Sequence, residues 1–203
     1  MNKPTSPTFA TLVQEFFTDY MVQQRALSPC TVASYRDTFV LLLRYALRQG
    51  KEPNSMELTD VTAKFLLGFL DHLEQERHSS VRSRNIRLAA VRSFLKFAAR
   101  RDPVHLGLIE QALAVPMKRF DRKMVGFVPR EQMLALIDAP SDAWIGQRDR
   151  LMFALMFNTG ARVSEMLGVR VADVVLGPTS SIRLRGKGRK QRSLPLWKTT
   201  ARA

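Results

Sequence analysis

Between Thr8 and Arg101 four successive stretches carry apolar side chains at helical spacing, and the residues between them leave little choice of fold. The first, from Thr8 to about Arg25, repeats Phe9, Val13, Phe16, Phe17, Tyr20 and Met21. Ser28-Pro29 begins the second, with a hydroxyl to cap free amides and a proline pre-set for a first turn. Tyr35, Phe39, Leu42, Leu43 and Ala46 form its face, and it stops near Gly50. After a loop containing Pro53, a third helix starts between Thr59 and Thr62 and buries Phe65, Leu66, Phe69, Leu70 and Leu73. The fourth runs from about Ser80 to Arg100, with Ile86, Ala90, Phe94 and Phe97 as its packing face. Asp102-Pro103 ends it, and a short helix around Val104 to Leu113 follows. Aromatics at such spacing read as core rather than as a stacking platform for bases. Residues 8–112 are expected to form one helical domain.

The fourth helix also carries an unusual charge pattern. No acid lies between Ser79 and Arg101, while Arg82, Arg84, Arg87, Arg92, Lys96, Arg100 and Arg101 are basic. A solvated face usually mixes signs so that pairs can form across a turn; a one-signed face calls for a partner that brings negative charge. Over the 203 residues, 32 Lys and Arg against 18 Asp and Glu leave a formal charge of +14, which points to a polyanion. A membrane partner is disfavoured. The N-terminus has no signal-peptide core, and the cluster Phe65 to Leu70 is broken by Gly68 and too short to span a bilayer. The lone Cys30 fits a reducing cytoplasm. His72, His78 and His105 lack metal-ligand or dyad spacing.

Residues 113–128, with Pro116, Lys118, Arg119, Arg122 and Lys123, read as a basic linker, and a second domain covers 129–203. Pro129 opens a helix with Met133, Leu134 and Ile137 inward. A strongly apolar helix from Ala143 to Phe157 is expected to be buried on most of its surface. A glycine turn, Asn158-Thr159-Gly160, then re-enters helix at Ala161. Arg162, Ser164 and Glu165 occupy the first turn, and Val163, Met166 and Leu167 fall inward. An arginine beside free helix amides suits a phosphate, and Glu165 lies close enough to steady it. Farther on, Ile182-Arg183-Leu184-Arg185 and Ser193-Leu194-Pro195-Leu196 flank Gly186-Lys187-Gly188, a β-hairpin pattern with Lys187 near its tip. Beyond Arg183 every charged residue is basic, Arg189 and Lys190 among them. The Gly-Lys-Gly lacks the following Ser/Thr and the strand–loop–helix setting of a P-loop.

These two blocks resemble the tyrosine recombinase, or phage integrase, family and in particular its Xer-like branch. Thr159 to Leu167 is similar to the family's first catalytic-arginine box, and Arg185 to Leu196 to its lysine hairpin, with 25 residues between Arg162 and Lys187. Leu27 to Arg36 resembles the second helix of the family's N-terminal core-binding domain. The resemblance implies a mainly α fold: a helical, SAM-like core-binding domain followed by the N-terminal part of a catalytic domain with a small β-hairpin. It implies double-stranded DNA as partner, further recombinase protomers on that DNA, and strand exchange through a 3′-phosphotyrosine without metal, nucleotide or other cofactor. Carried over, Arg162 neutralises the phosphate oxygens, Lys187 protonates the departing 5′ oxygen and Glu165 positions Arg162. Arg84, Arg87, Arg92, Lys96, Arg189 and Lys190 are the expected DNA contacts. The family's His-x-x-Arg box and nucleophilic tyrosine have no counterpart after the hairpin, and the tyrosines present are Tyr20, Tyr35 and Tyr45. On this reading the chain is a truncated recombinase that binds DNA without cleaving it; the alternative is a standalone DNA-binding module at recombination sites. A catalytic portion of about 75 residues is also expected to leave apolar surface exposed.

Overall fold

Thr8, Ser28, Thr62 and Ser80 each begin a helix in the same way, the hydroxyl accepting from the amide three residues on at 3.1, 3.3, 3.1 and 3.2 Å. The computed structural model in which these caps are seen describes residues 7–121, 124, 126–186, 188 and 190–202. It divides into two units, Met1–Lys123 and Met124–Ala203.

In the N-terminal unit, helix α1 spans Phe9–Glu15 and continues as a π-helix over Phe16–Gln24. Then come α2 (Pro29–Arg48), α3 (Ala63–Gln75), α4 (Val81–Arg101) and α5 (Leu106–Leu113), with 3₁₀ turns at Leu58–Asp60 and Pro103–His105. The apolar stripes meet in one core centred on Phe16. Its ring lies 5.5 Å from Phe94, edge to face, and 5.6 Å from Phe97, while Phe39 meets Phe94 at 5.2 Å. The aromatics of the first stretch are therefore packing residues, and edge-to-face pairing adds to their burial. Ala90, Phe94 and Phe97 of the expected α4 face are buried, together with Leu88, Val91 and Leu95, whereas Ile86 is exposed. Past α5 the chain stays on this unit as far as Lys118. Val115 is buried in the core, and Asn85 bonds both the amide (3.1 Å) and the carbonyl (2.8 Å) of Lys118.

The C-terminal unit holds α6 (Arg130–Asp138), α7 (Trp144–Thr159), the single turn α8 (Val163–Met166), a 3₁₀ turn (Val171–Asp173) and α9 (Lys198–Arg202). A three-stranded antiparallel sheet is ordered β1 (Val174–Val175), β2 (Ser181–Arg185), β3 (Gln191–Pro195). The β2–β3 register runs from Ser181 opposite Pro195 to Arg185 opposite Gln191, closed by Gly186 N–H to the Lys190 carbonyl at 2.7 Å. Ile182 and Leu184 are wholly buried and, with Ala161 and Met166, make the small core of this unit.

Its helices bury less than their composition suggests. Ile137 of α6 is buried and Met133 half-buried, but Leu134 is exposed. The apolar residues of α7, expected to be mostly buried, are only half-buried from Leu151 to Phe157. Val163 and Leu167, expected inward, are exposed, as are Phe127, Trp144 and Val171. The C-terminal unit thus exposes several large apolar side chains. Among the described residues no helix is long and apolar enough to cross a membrane.

Candidate functional site

Gly160 ends α7 in the left-handed conformation (φ +63°), which a glycine adopts without a steric penalty. The end of α7 is tied down just before this turn. Asn158 Oδ1 accepts the Trp197 amide at 2.8 Å, and the Thr159 hydroxyl donates to the Leu155 carbonyl at 2.6 Å. Helix α8 begins at Val163 rather than Ala161, so Arg162 is its N-cap, in extended conformation (φ −76°, ψ 152°).

This two-residue shift changes the chemistry of the turn. Glu165 Oε2 accepts the Arg162 amide at 3.1 Å, so the carboxylate occupies the helix start that a phosphate was expected to use. What Arg162 retains for an anion is its guanidinium. Nη1 donates to Glu165 Oε1 at 3.0 Å, yet 72% of the side chain is exposed, against 3% for Glu165. A second arginine, on β3, holds the same carboxylate: Arg192 Nη2 donates to Oε2 at 2.8 Å and Nη1 to Oε1 at 3.3 Å. Gly186 lets the hairpin come this close, since a Cβ there would lie 3.0 Å from Glu165 Oε1. The Arg192 fork first, then the Arg162 amide and side chain, lower the Glu165 carboxyl from 4.5 to about 2 against the opposing effect of burial. The result is a fixed negative charge that orients an exposed cation.

The next turn repeats the device. Asp173 Oδ2 accepts the Arg170 amide at 3.1 Å, and Oδ1 lies 3.8 Å from Arg185 Nη2 on β2. Each strand of the hairpin is thus fastened to a buried carboxylate of its own. Arg183, Arg185 and Lys190 expose their side chains. Lys187 and Arg189, expected as leaving-group acid and DNA contact, lie outside the described residues.

In the N-terminal unit the arginines of α4 fall into two sets. Arg92, Lys96 and Arg100, four residues apart, share one side and line a shallow concavity with Arg25, Tyr20 and Ser93. Arg25 lies over the Tyr20 ring at 5.7 Å. Among the described residues no carboxylate pairs with these four cations. Arg84 and Arg87 do not belong to this face. Arg84 is 2% exposed, lies 3.7 Å from Glu74 and donates to the Pro116 carbonyl at 3.2 Å; it fastens the chain after α5 and cannot reach a phosphate. Arg87 is half-buried, its Nε has no partner, and burial, then the neighbouring Arg77, lower its pKa against the pull of Asp37. Sequence reasoning missed Arg192, Arg25 and Arg100 as site residues. Arg192 was legible, standing two residues before Leu194 and so on the inward face of β3.

Two family models match the chain: the phage integrase N-terminal SAM-like domain over residues 14–102 and the phage integrase family over residues 127–203. Two integrase/recombinase proteins of Sinorhizobium fredii are similar along almost all of it. The protein y4rC is 41% identical over 95% of this chain and 59% of its own length, and y4rD is 37% identical over 96% and 70%. The tyrosine recombinase XerC of Xanthomonas axonopodis is 28% identical over 91% of the chain and 60% of its own. The chain therefore spans 59% of y4rC and about the same share of that XerC. In fold it is similar to the XerH site-specific recombinase in a post-cleavage complex with a palindromic difH substrate, with TM-score 0.63 at 16% identity, covering 88% of this chain and 52% of that one. With both halves matched in order and a relative at 37% identity spanned over 70% of its length, the chain belongs to the phage integrase family of tyrosine recombinases.

Proposed function

We propose that this chain binds duplex DNA in site-specific recombination, holding a backbone phosphate on Arg162 and the flanking backbone on the α4 stripe. The observation that carries this reading is the Arg162–Glu165 pair, an exposed guanidinium anchored from behind by a carboxylate that its neighbours keep ionised. Such an arrangement stabilises charge building on nonbridging phosphate oxygens without reorganising. Lys187 is assigned the proton for the departing 5′ oxygen, and Arg189 and Lys190 the backbone beside it. Arg92, Lys96 and Arg100, which pair with no carboxylate among the described residues, are offered for phosphate contacts that a polyanion would supply. The lone thiol Cys30 suits a cytoplasmic setting.

We assign no strand cleavage to the chain acting alone. Tyr20, Tyr35 and Tyr45 are its tyrosines, and all three sit among the packed rings of the N-terminal unit, far in sequence from Arg162. Without a nucleophile beside the phosphate, covalent catalysis does not proceed. Incubation with a nicked suicide duplex tests this. A gel shift without covalent adduct is expected, and a phosphotyrosyl adduct would overturn the assignment. A second reading, a DNA-binding module that occupies recombination sites, is favoured by the placement of the whole α4 stripe in one unit. It predicts that Met1–Lys123 alone gives a discrete, salt-sensitive shift on the same duplex.

A further inference from the structure

Two arginines hold Glu165 where one would suffice to pair with it, and the division of labour between them is unequal. Building on the reading of Arg162 as a phosphate ligand, we infer that Arg192 is a positioning residue that saturates Glu165 and so keeps the Arg162 guanidinium open to a phosphodiester.

Arg192 takes the two-bond fork on the carboxylate, one Nη to each oxygen, at 2.8 and 3.3 Å. Arg162 is left with a single side-chain bond, from Nη1 to Oε1, its amide supplying the other contact at Oε2. Each oxygen then accepts two donors, which fills the roughly four acceptor positions of a carboxylate. The remaining Arg162 donors make no hydrogen bond among the described residues, and the side chain is 72% exposed. A guanidinium and a carboxylate left to themselves favour the parallel fork, the same pair of bonds that a phosphate requires. Removing Arg192 frees acceptor positions on a buried carboxylate whose nearest cation is then Arg162. Glu165 would take Arg162's fork and cancel its charge. The strand face agrees with this role: Arg192 stands opposite Leu184 and two residues from Leu194, on the side of the hairpin turned to the core. Gly186 leaves room for the approach.

The test is a double-mutant cycle on the full chain, with a fluorescent random-sequence DNA duplex titrated over a series of salt concentrations. R192A should bind about tenfold more weakly, the loss of one charge-assisted contact. Its plot of log affinity against log salt should flatten by about 0.9, one phosphate contact. R192K keeps the charge but cannot hold both oxygens at once, and should fall between R192A and wild type. Adding E165Q to R192A removes the competing carboxylate and should restore affinity, a gain that misfolding of R192A could not produce. Wild-type binding by both R192A and R192K, or a double variant no tighter than R192A, overturns the inference. R162A separates the two claims: if it leaves affinity and slope unchanged, the phosphate reading of Arg162 fails with everything built on it. If R162A weakens binding while the Arg192 variants behave as wild type, the inference about Arg192 alone fails.

Discussion

A carboxylate set between two guanidinium groups stays ionised to lower pH than a free one, and Glu165 therefore links proton concentration to the seat of the hairpin. Its carboxyl is held at about 2 in place of 4.5, so the folded state favours the ionised form. A depressed pKa adds stability that is complete above the unfolded value and lost as pH falls through the folded one. The urea midpoint of the C-terminal unit should accordingly be level above about pH 5 and decline between about pH 4.5 and about 2, a decline that E165Q should flatten. A carbon-13 titration of the Glu165 side chain should inflect near pH 2 in the wild type and clearly higher in R192A. At this scale the sequence was half legible. The Arg162–Glu165 spacing announced itself, but the glycine turn extends two residues farther than the pattern suggested, and that makes Arg162 the N-cap whose amide meets a carboxylate in place of an anion. The partner from β3 lies 27 positions from Glu165, and only a strand register brings the two together.

Helix α4 shows how one acid-free run can serve two purposes. At about 100° per residue, Arg84 stands one turn before Leu88 and two before Val91, on the buried side. Arg92, Lys96 and Arg100 lie at about 80°, 120° and 160° from Arg84, so the row starts on the flank and winds away from the buried side. Charge composition alone cannot separate these sets, whereas phase against the buried leucines does. Substitutions should divide accordingly. R92A, K96A and R100A should each lower the salt slope of DNA binding by about one while leaving the urea midpoint in place. R84A should leave the slope unchanged and destabilise the N-terminal unit by about 2 kcal/mol, the contribution of a buried hydrogen bond from a charged group. Helix α7 departs from its expected burial for a reason composition does not carry: a helix is buried only as far as its neighbours cover it, and the short elements α6, α8 and α9 cover it partly.

For the molecule as a whole, the capped helices and the hairpin were readable from spacing because each rests on local chemistry, a hydroxyl, a proline or a glycine at the right offset. How much core each unit assembles was not, since that depends on long-range contacts. The N-terminal unit gathers its aromatic rings from the π-helix, α2 and α4 around Phe16, whereas the C-terminal cluster has four buried members among the described residues. The C-terminal unit should unfold at the lower urea concentration. F16A should cost the N-terminal unit about 3–5 kcal/mol, measured from the shift of its urea midpoint.

The division into units also sorts the chromophores. Tyr20, Tyr35 and Tyr45 belong to the first unit, while Trp144 and Trp197 belong to the second. Indole emission excited at the red edge therefore reports on the recombinase-box half without labelling, and far-ultraviolet dichroism is weighted towards the long helices of the other. Trp197 is the more informative of the two indoles, because its ring meets Phe157 edge to face at 5.6 Å and its amide is bonded to Asn158. Its quenching should register the moment the strand carrying Arg192 parts from α7.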